Sequence, residues 1–143
     1  VAAIEQADVI IFGIGSIYTS ICPNVIIPEI RKALQKNQGL KVYVANAMSQ
    51  PGETEGYGLE DHVQAIEQHA QVKMDVVIYA SDIIPTKVLA RYVDREAFPV
   101  QIKAKEHDYK LIKKKLLKFD TERVRHDPNR IRDVLEELFR KVR

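Results

Sequence analysis

The sequence predicts an α/β fold with a mostly parallel sheet flanked by helices. Three observations predict it. The apolar runs Val9-Ile10-Ile11-Phe12, Val42-Tyr43-Val44-Ala45 and Val76-Val77-Ile78-Tyr79-Ala80 have the length and composition of buried strands. Apolar residues at helical spacing fill the intervals between them. The order strand–helix–strand–helix–strand then implies right-handed crossovers and parallel pairing.

Each element has its own signal. Val1 to Ala7 reads as the tail of a helix. Val9–Phe12, a continuous apolar run ended by glycines, reads as a strand buried on both faces. A helix is expected after Pro23-Asn24, with Ile26, Ile27, Ile30, Ala33 and Leu34 on one side and Asn37-Gln38-Gly39 as its stop. The strand Lys41–Ala45 follows, then a polar, glycine-bearing loop from Asn46 to Gly58. A second helix is expected to start near Leu59 or Glu60, with Val63, Ile66 and Ala70 buried and the acids Glu60 and Asp61 in its first turn. Asp75–Ala80 reads as the third strand, Thr86–Glu96 as a short helix and Val100–Ile102 as a brief strand. Tyr109–Phe119 carries five lysines, and periodicity leaves it open between strand and amphipathic helix. Asp127 as N-cap and Pro128 at the first helical position open a last helix, with the stripe Ile131, Val134, Leu135, Leu138, Phe139 and Val142.

Composition narrows the function classes. A chain of 143 residues fits one domain with a sizeable core, and the whole is read as a single α/β domain. No apolar run is long enough to span a bilayer, and no secretory signal is visible. The single cysteine, Cys22, excludes an internal disulfide, and no Cys/His cluster suggests a structural zinc site. The net charge of +2 conceals a split between −4 over residues 1–70 and +6 over residues 71–143. A basic half is compatible with a polyanion partner, but no aromatic interleaving points to nucleic acid, which is not expected as a partner.

Two segments stand out at the carboxyl ends of strands, where ligands of open α/β sheets bind. In Gly13-Ile14-Gly15-Ser16-Ile17-Tyr18-Thr19-Ser20 the glycines permit close approach of an anion to backbone N–H groups, and Ser16, Thr19 and Ser20 add hydroxyl donors. It lacks the third glycine of the dinucleotide fingerprint, and a capped turn is the plainer explanation. The second segment, Asn46 to His62, is long for a strand-to-helix connection. Asn46, Gln50 and Thr54 can hydrogen-bond a base, sugar or phosphate, Glu53 or Asp61 can take a metal or a ribose hydroxyl, and His62 can meet a phosphate. The plainer alternative is that Asp61 and His62 cap the helix while Tyr57 packs over it.

Taken in order, Ala7–Asn24 and Val42–Tyr57 with Asp61–Ile66 resemble two blocks of the gluconeogenesis factor (YvcK/CofD-like) family, and Val124–Asp127 recovers the likeness after a looser stretch. Where that family usually has Gly-Pro-Gly-Ser, this sequence has Gly13-Ile14-Gly15-Ser16. The resemblance implies a Rossmann-like fold, a cytoplasmic protein and a homodimer. It implies that the chain is the C-terminal part of a larger CofD-like domain, with a further phosphate loop upstream. One branch of the family comprises UDP-sugar-binding regulators of carbon metabolism and cell shape. The other is the 2-phospho-L-lactate transferase of coenzyme F420 biosynthesis, which uses magnesium. Both blocks are worded more like the first branch. The expected phosphate side is Gly13, Gly15, Ser16, Tyr18, Thr19 and Asn24. The expected sugar or base side is Asn46, Gln50, Gly52, Glu53, Thr54, Asp61 and His62. A small nucleotide ligand, a UDP-sugar or a dinucleotide, is the expected partner. No catalytic residue and no metal ligand are assigned, and magnesium enters only under the transferase alternative.

Overall fold

The structure is a computed structural model that describes residues 1–120 and 123–142. Four strands, β1 (Val9–Phe12), β2 (Leu40–Val44), β3 (Val76–Ala80) and β4 (Lys110–Lys114), form one sheet in the order β1-β2-β3-β4. Every pairing in it is parallel. Helix α1 (Ala2–Gln6) precedes β1. A π-helical turn (Ile17–Ile21), α2 (Cys22–Val25) and α3 (Pro28–Lys36) join β1 to β2, and α4 (Leu59–Ala70) joins β2 to β3. After α5 (Thr86–Val93) and β4, a small antiparallel pair, β5 (Leu117–Phe119) and β6 (Val124–His126), leads to α6 (Pro128–Val142).

Alternation along the strands divides the core into two layers. Phe12, Tyr43 and Val77 pack with Ile17, Cys22, Leu34, Leu59 and Ile66 on one face. Val42, Val44, Val76 and Ile78 pack with Val134 and Leu138 of α6 on the other. The stripe expected on the last helix is therefore its buried face, except that the side chain of Val142 lies outside the described residues. Asp127 caps that helix through the Asn129 N–H at 2.9 Å.

Three local expectations change, and one left open is resolved. β1 is an edge strand, and its apolar run is not buried on both faces, since Ile11 is 41% exposed. The helix expected through Ile26 and Ile27 is broken there. Pro28 lacks an N–H and drives the preceding residue out of the helical region, and Ile27 is extended at ψ 122°. Both isoleucines stay largely exposed while Ala33 and Leu34 carry the burial. Val100–Ile102 is not a strand. Pro99 makes an isolated bridge with Met48, and the Val100 N–H donates to the Ala47 carbonyl at 2.9 Å. The lysine-rich stretch is extended, as β4 and β5, and its side chains at Lys113, Lys114, Lys115 and Lys118 are exposed. Lysines on an edge strand block pairing with another chain, which explains this basic run without a polyanion.

The turn from α3 into β2 is tightly fixed. Asn37 is buried, and its amide nitrogen reaches the carbonyls of Ile4 at 2.7 Å and Ala7 at 2.8 Å, tying α1 to the turn. At Gly39 an added Cβ would lie 2.2 Å from the Ala7 carbonyl oxygen and 2.6 Å from that of Asp8. Gly39→Ala is therefore expected to destabilise the fold by about 2–4 kcal/mol, because backbone rather than a flexible side chain must give way. A urea denaturation midpoint unchanged from the parent protein would contradict this.

Candidate functional site

The site grows out of the way β1 and β2 end. Their parallel register places Phe12 beside Tyr43, so the two following loops leave the sheet side by side at its carboxyl edge. At Gly13 the backbone turns with φ +94°, and an added Cβ would lie 2.8 Å from the Val44 carbonyl oxygen. Only glycine fits a left-handed turn laid this close to a neighbouring strand.

Direct hydrogen bonds then stitch the loops together. Ser16 Oγ donates to Glu53 Oε2, and Thr19 Oγ1 donates to Ser16 Oγ at 2.6 Å. The Thr19 N–H also reaches Ser16 Oγ, at 3.2 Å, so Ser16 caps the π-helical turn behind it. Asn46 Nδ2 donates to the Gly15 carbonyl at 3.0 Å, and its Oδ1 accepts from the Tyr43 hydroxyl at 2.8 Å. The Tyr18 and Tyr57 hydroxyls meet at 2.7 Å. That hydrogen bond, followed by burial, pushes Tyr18 up to about 12, so it stays a neutral hydrogen-bonding group.

The residues expected at the site separate into those brought together and those used elsewhere. Gly15, Ser16, Tyr18 and Thr19 meet the second loop through Asn46, Glu53 and Tyr57. Gly13, Gly15 and Asn24 line a groove of about 380 Å³ beside β1, and Asn24 is held by its bond to the Ser20 carbonyl at 2.6 Å. Gln50 is exposed, and its N–H donates to Thr54 Oγ1 at 2.8 Å. Thr54 is buried, and Gly52 turns at φ +77° with open space around it. Asp61 caps α4 from the Gly58 N–H at 2.7 Å and pairs with Lys103 Nζ at 3.1 Å. The bond from Gly58 is the main reason its carboxyl lies below the usual carboxylate range. His62 is 1% exposed, with Nδ1 2.7 Å from the Gly58 carbonyl and its ring edge-on to Tyr57. Burial lowers its basicity.

Sequence reasoning did not single out Tyr43, Lys103, or the pairing of Glu60 with His107. Glu60 accepts hydrogen bonds from the Lys103 N–H at 3.0 Å, the Ala104 N–H at 3.1 Å and His107 Nε2 at 2.8 Å. These groups pin the 101–108 segment onto the start of α4. An acid in the first helical turn was the visible signal, but the partners more than forty positions away were not. Burial alone would raise the Glu60 carboxyl, yet the His107 side chain and the two backbone donors outweigh it and hold it at about 2. A carboxyl lowered by folding adds stability above its ordinary value of 4.5, and that contribution is lost as pH falls toward 2. The thermal midpoint is thus expected to fall more steeply between pH 4.5 and 2 in the parent protein than in Glu60→Gln. Parallel profiles for the two proteins would remove Glu60 as a source of acid sensitivity.

Glu53 gives the site a polarity. A carboxylate beside Ser16 repels an anion arriving from the second loop, while it readily accepts a hydroxyl. The faces of Gly13, Gly15 and Asn24 carry no such charge. Among the described residues no group of three or more His, Cys, Asp or Glu side chains is placed to hold a metal ion, and none of the helices is long and apolar enough to cross a membrane.

Comparison with known proteins bears on the family and the fold. A family model described as "2-phospho-L-lactate transferase CofD" matches residues 1–117. A putative gluconeogenesis factor of Thermotoga maritima is 38% identical, over 96% of this chain and 46% of that protein. The gluconeogenesis factor of Bacillus subtilis is 35% identical, over 96% of this chain and 44% of that protein. The crystal structure of protein BH3568 from Bacillus halodurans is similar at a TM-score of 0.87 and 34% identity, covering 94% of this chain and 45% of that one. The chain thus spans somewhat less than half the length of these relatives.

Proposed function

We propose that this chain, which belongs to the CofD family, supplies one side of a UDP-sugar site in a regulatory protein of the gluconeogenesis-factor type. The observation that carries the reading is the pair of contacts Ser16–Glu53 and Asn46–Gly15, which make one surface of two loops at the edge where α/β sheets take ligands. The phosphates lie against the backbone of Gly13 and Gly15 and beside Asn24, with Ser16 and Thr19 at the boundary with the second loop, where Ser16 donates to the Glu53 carboxylate. Asn46, Gln50 and Glu53 face the sugar or base, with Glu53 accepting a sugar hydroxyl. Thr54 and His62, which are buried, and Asp61, which caps α4 and pairs with Lys103, hold the second loop in shape rather than touch the ligand. The protein acts in the cytoplasm as a homodimer, and the ligand reports on carbon supply to processes that set cell shape.

The transferase reading has one support of its own, the description of the matching family model. Magnesium would belong to that chemistry, but Asp61 is committed to Gly58 and Lys103 and Glu53 to Ser16. Among the described residues the side chains do not assemble a metal site by themselves. Turnover of a deazaflavin acceptor by the full-length protein with magnesium would favour this reading over a binding role.

Isothermal calorimetry of the full-length protein with UDP-N-acetylglucosamine is expected to show binding. Asn46→Ala and Glu53→Ala are each expected to weaken it at least tenfold, about 1.4 kcal/mol. Absence of binding at millimolar ligand would refute the proposal, and wild-type affinity in both variants would move the site away from the second loop.

A further inference from the structure

The acids of the second loop and the helix start behind it are employed unequally. Glu55 accepts the Gly52 N–H. Asp61 accepts the Gly58 N–H at 2.7 Å and pairs with Lys103, and Glu60 gathers two backbone donors and His107. Each of these carboxylates shapes the chain around it, and Glu53 is the exception. Its N–H is fixed on the Gln50 carbonyl at 3.1 Å. Among the described residues, however, its carboxylate has one hydrogen-bond partner, the Ser16 hydroxyl, and forms no ion pair. The donors of the first loop all run toward it. Thr19 Oγ1 donates to Ser16 Oγ at 2.6 Å, the Thr19 N–H reaches the same oxygen at 3.2 Å, and the Ser16 proton goes to Glu53. A hydroxyl has one proton to give. While Glu53 holds it, Ser16 presents no donor to a phosphate, and the charge beside it repels one. That charge is felt in the first loop's own helix as well, because burial and, after it, Glu53 push the Cys22 thiol up.

We infer that Glu53 is a resident competitor for the phosphate end of the ligand: it holds the Ser16 hydroxyl in the free protein, yields it to the ligand's phosphate, and turns to accept a sugar hydroxyl instead. This rests on the sugar-nucleotide reading of the site and adds to it a means of selection. Carboxylate and phosphate oxygens are both strong acceptors, so they contend for the same proton. A sugar nucleotide offsets the displacement of Glu53, because its hydroxyls give the carboxylate new donors. A bare phosphate compound gives it none and leaves an unpartnered carboxylate next to its own charge. The exchange needs only a side-chain rotation. Ser16 and Glu53 are half-buried and Thr19 is exposed. Nothing lies within 4 Å of where a Cβ on the neighbouring Gly52 would stand, so the carboxylate has room to turn. The backbone meanwhile stays on Gln50, with Thr54 buried behind it.

Calorimetry of the full-length protein with inorganic pyrophosphate, in buffer free of divalent metal, tests this directly. Glu53→Ala is expected to bind pyrophosphate at least tenfold more tightly than the parent protein, although the same variant loses affinity for UDP-N-acetylglucosamine. Glu53→Gln, uncharged and of the same size, is expected to shift in the same direction. Adding Ser16→Ala to Glu53→Ala is expected to abolish the gain, because the donor set free is Ser16. Pyrophosphate affinity no higher than the parent's in both Glu53 variants would overturn the inference. An equal gain in Glu55→Ala, which removes a nearby charge without freeing Ser16, would overturn it too. Binding of UDP-N-acetylglucosamine by the parent protein is a separate measurement. Its absence refutes the sugar-nucleotide reading, and the pyrophosphate comparison still decides whether Glu53 occupies the phosphate donor.

Discussion

The parallel register of β1 against β2 fixes where the two strands part, and the rest of the edge follows from that point. Phe12 and Tyr43 are paired, so the chain must leave β1 over the last residue of β2. There is room for this only without a side chain at Gly13, beside the Val44 carbonyl. The next residues are then within reach of the loop that follows β2. Gly15 offers its carbonyl to Asn46, and Ser16 its hydroxyl to Glu53. Tyr43, inside β2, holds Asn46 at the required angle from below. A shift of one residue in this register would turn Tyr43 to the other face of the sheet and separate all three contacts.

Energetically, the site rests on the core rather than on its own hydrogen bonds. Exposed or half-exposed bonds of this kind contribute about 1 kcal/mol each. They persist because buried elements on either side hold the two loops: Ile17 and Ile21 below the first, Leu59 and Ile66 below the second. The far end of the second loop is clamped again by Glu60, which gathers His107 and two backbone donors. The turns at Gly52 and Gly56 have open space around them, and the Gly52 N–H donates to Glu55 Oε1.

Much of the fold was legible because apolar strands and amphipathic helices announce themselves by period. The first three strands and α4, α5 and α6 lie where their patterns placed them. Local chemistry defeated the pattern at Ile26 and Ile27, where Pro28 overrides helical spacing, and at Val100, buried by a bridge between loops rather than by a ladder. The stretch at 110–118 could be read as strand or helix from its pattern, and pairing with β3 places Lys110, Lys113 and Lys114 on a sheet edge. For the site, the two loops could be found because glycines and polar residues are out of place after apolar strands. The division within them could not. Thr54 and His62 look as reactive in the sequence as Ser16 and Glu53, and only tertiary packing shows that the first two are buried. Pairings such as Ser16 with Glu53 and Glu60 with His107 span 37 and 47 positions, a separation that no periodicity encodes.

The claim that the two loops act as one surface is best tested by following backbone amide resonances of the full-length protein through a titration with UDP-N-acetylglucosamine. Resonances of Gly13–Ser16 and of Asn46–Glu53 should move along the same binding curve, with one dissociation constant for both. Shifts confined to one loop, or centred on the opposite end of the sheet around Asn37 and Asp75, would contradict it.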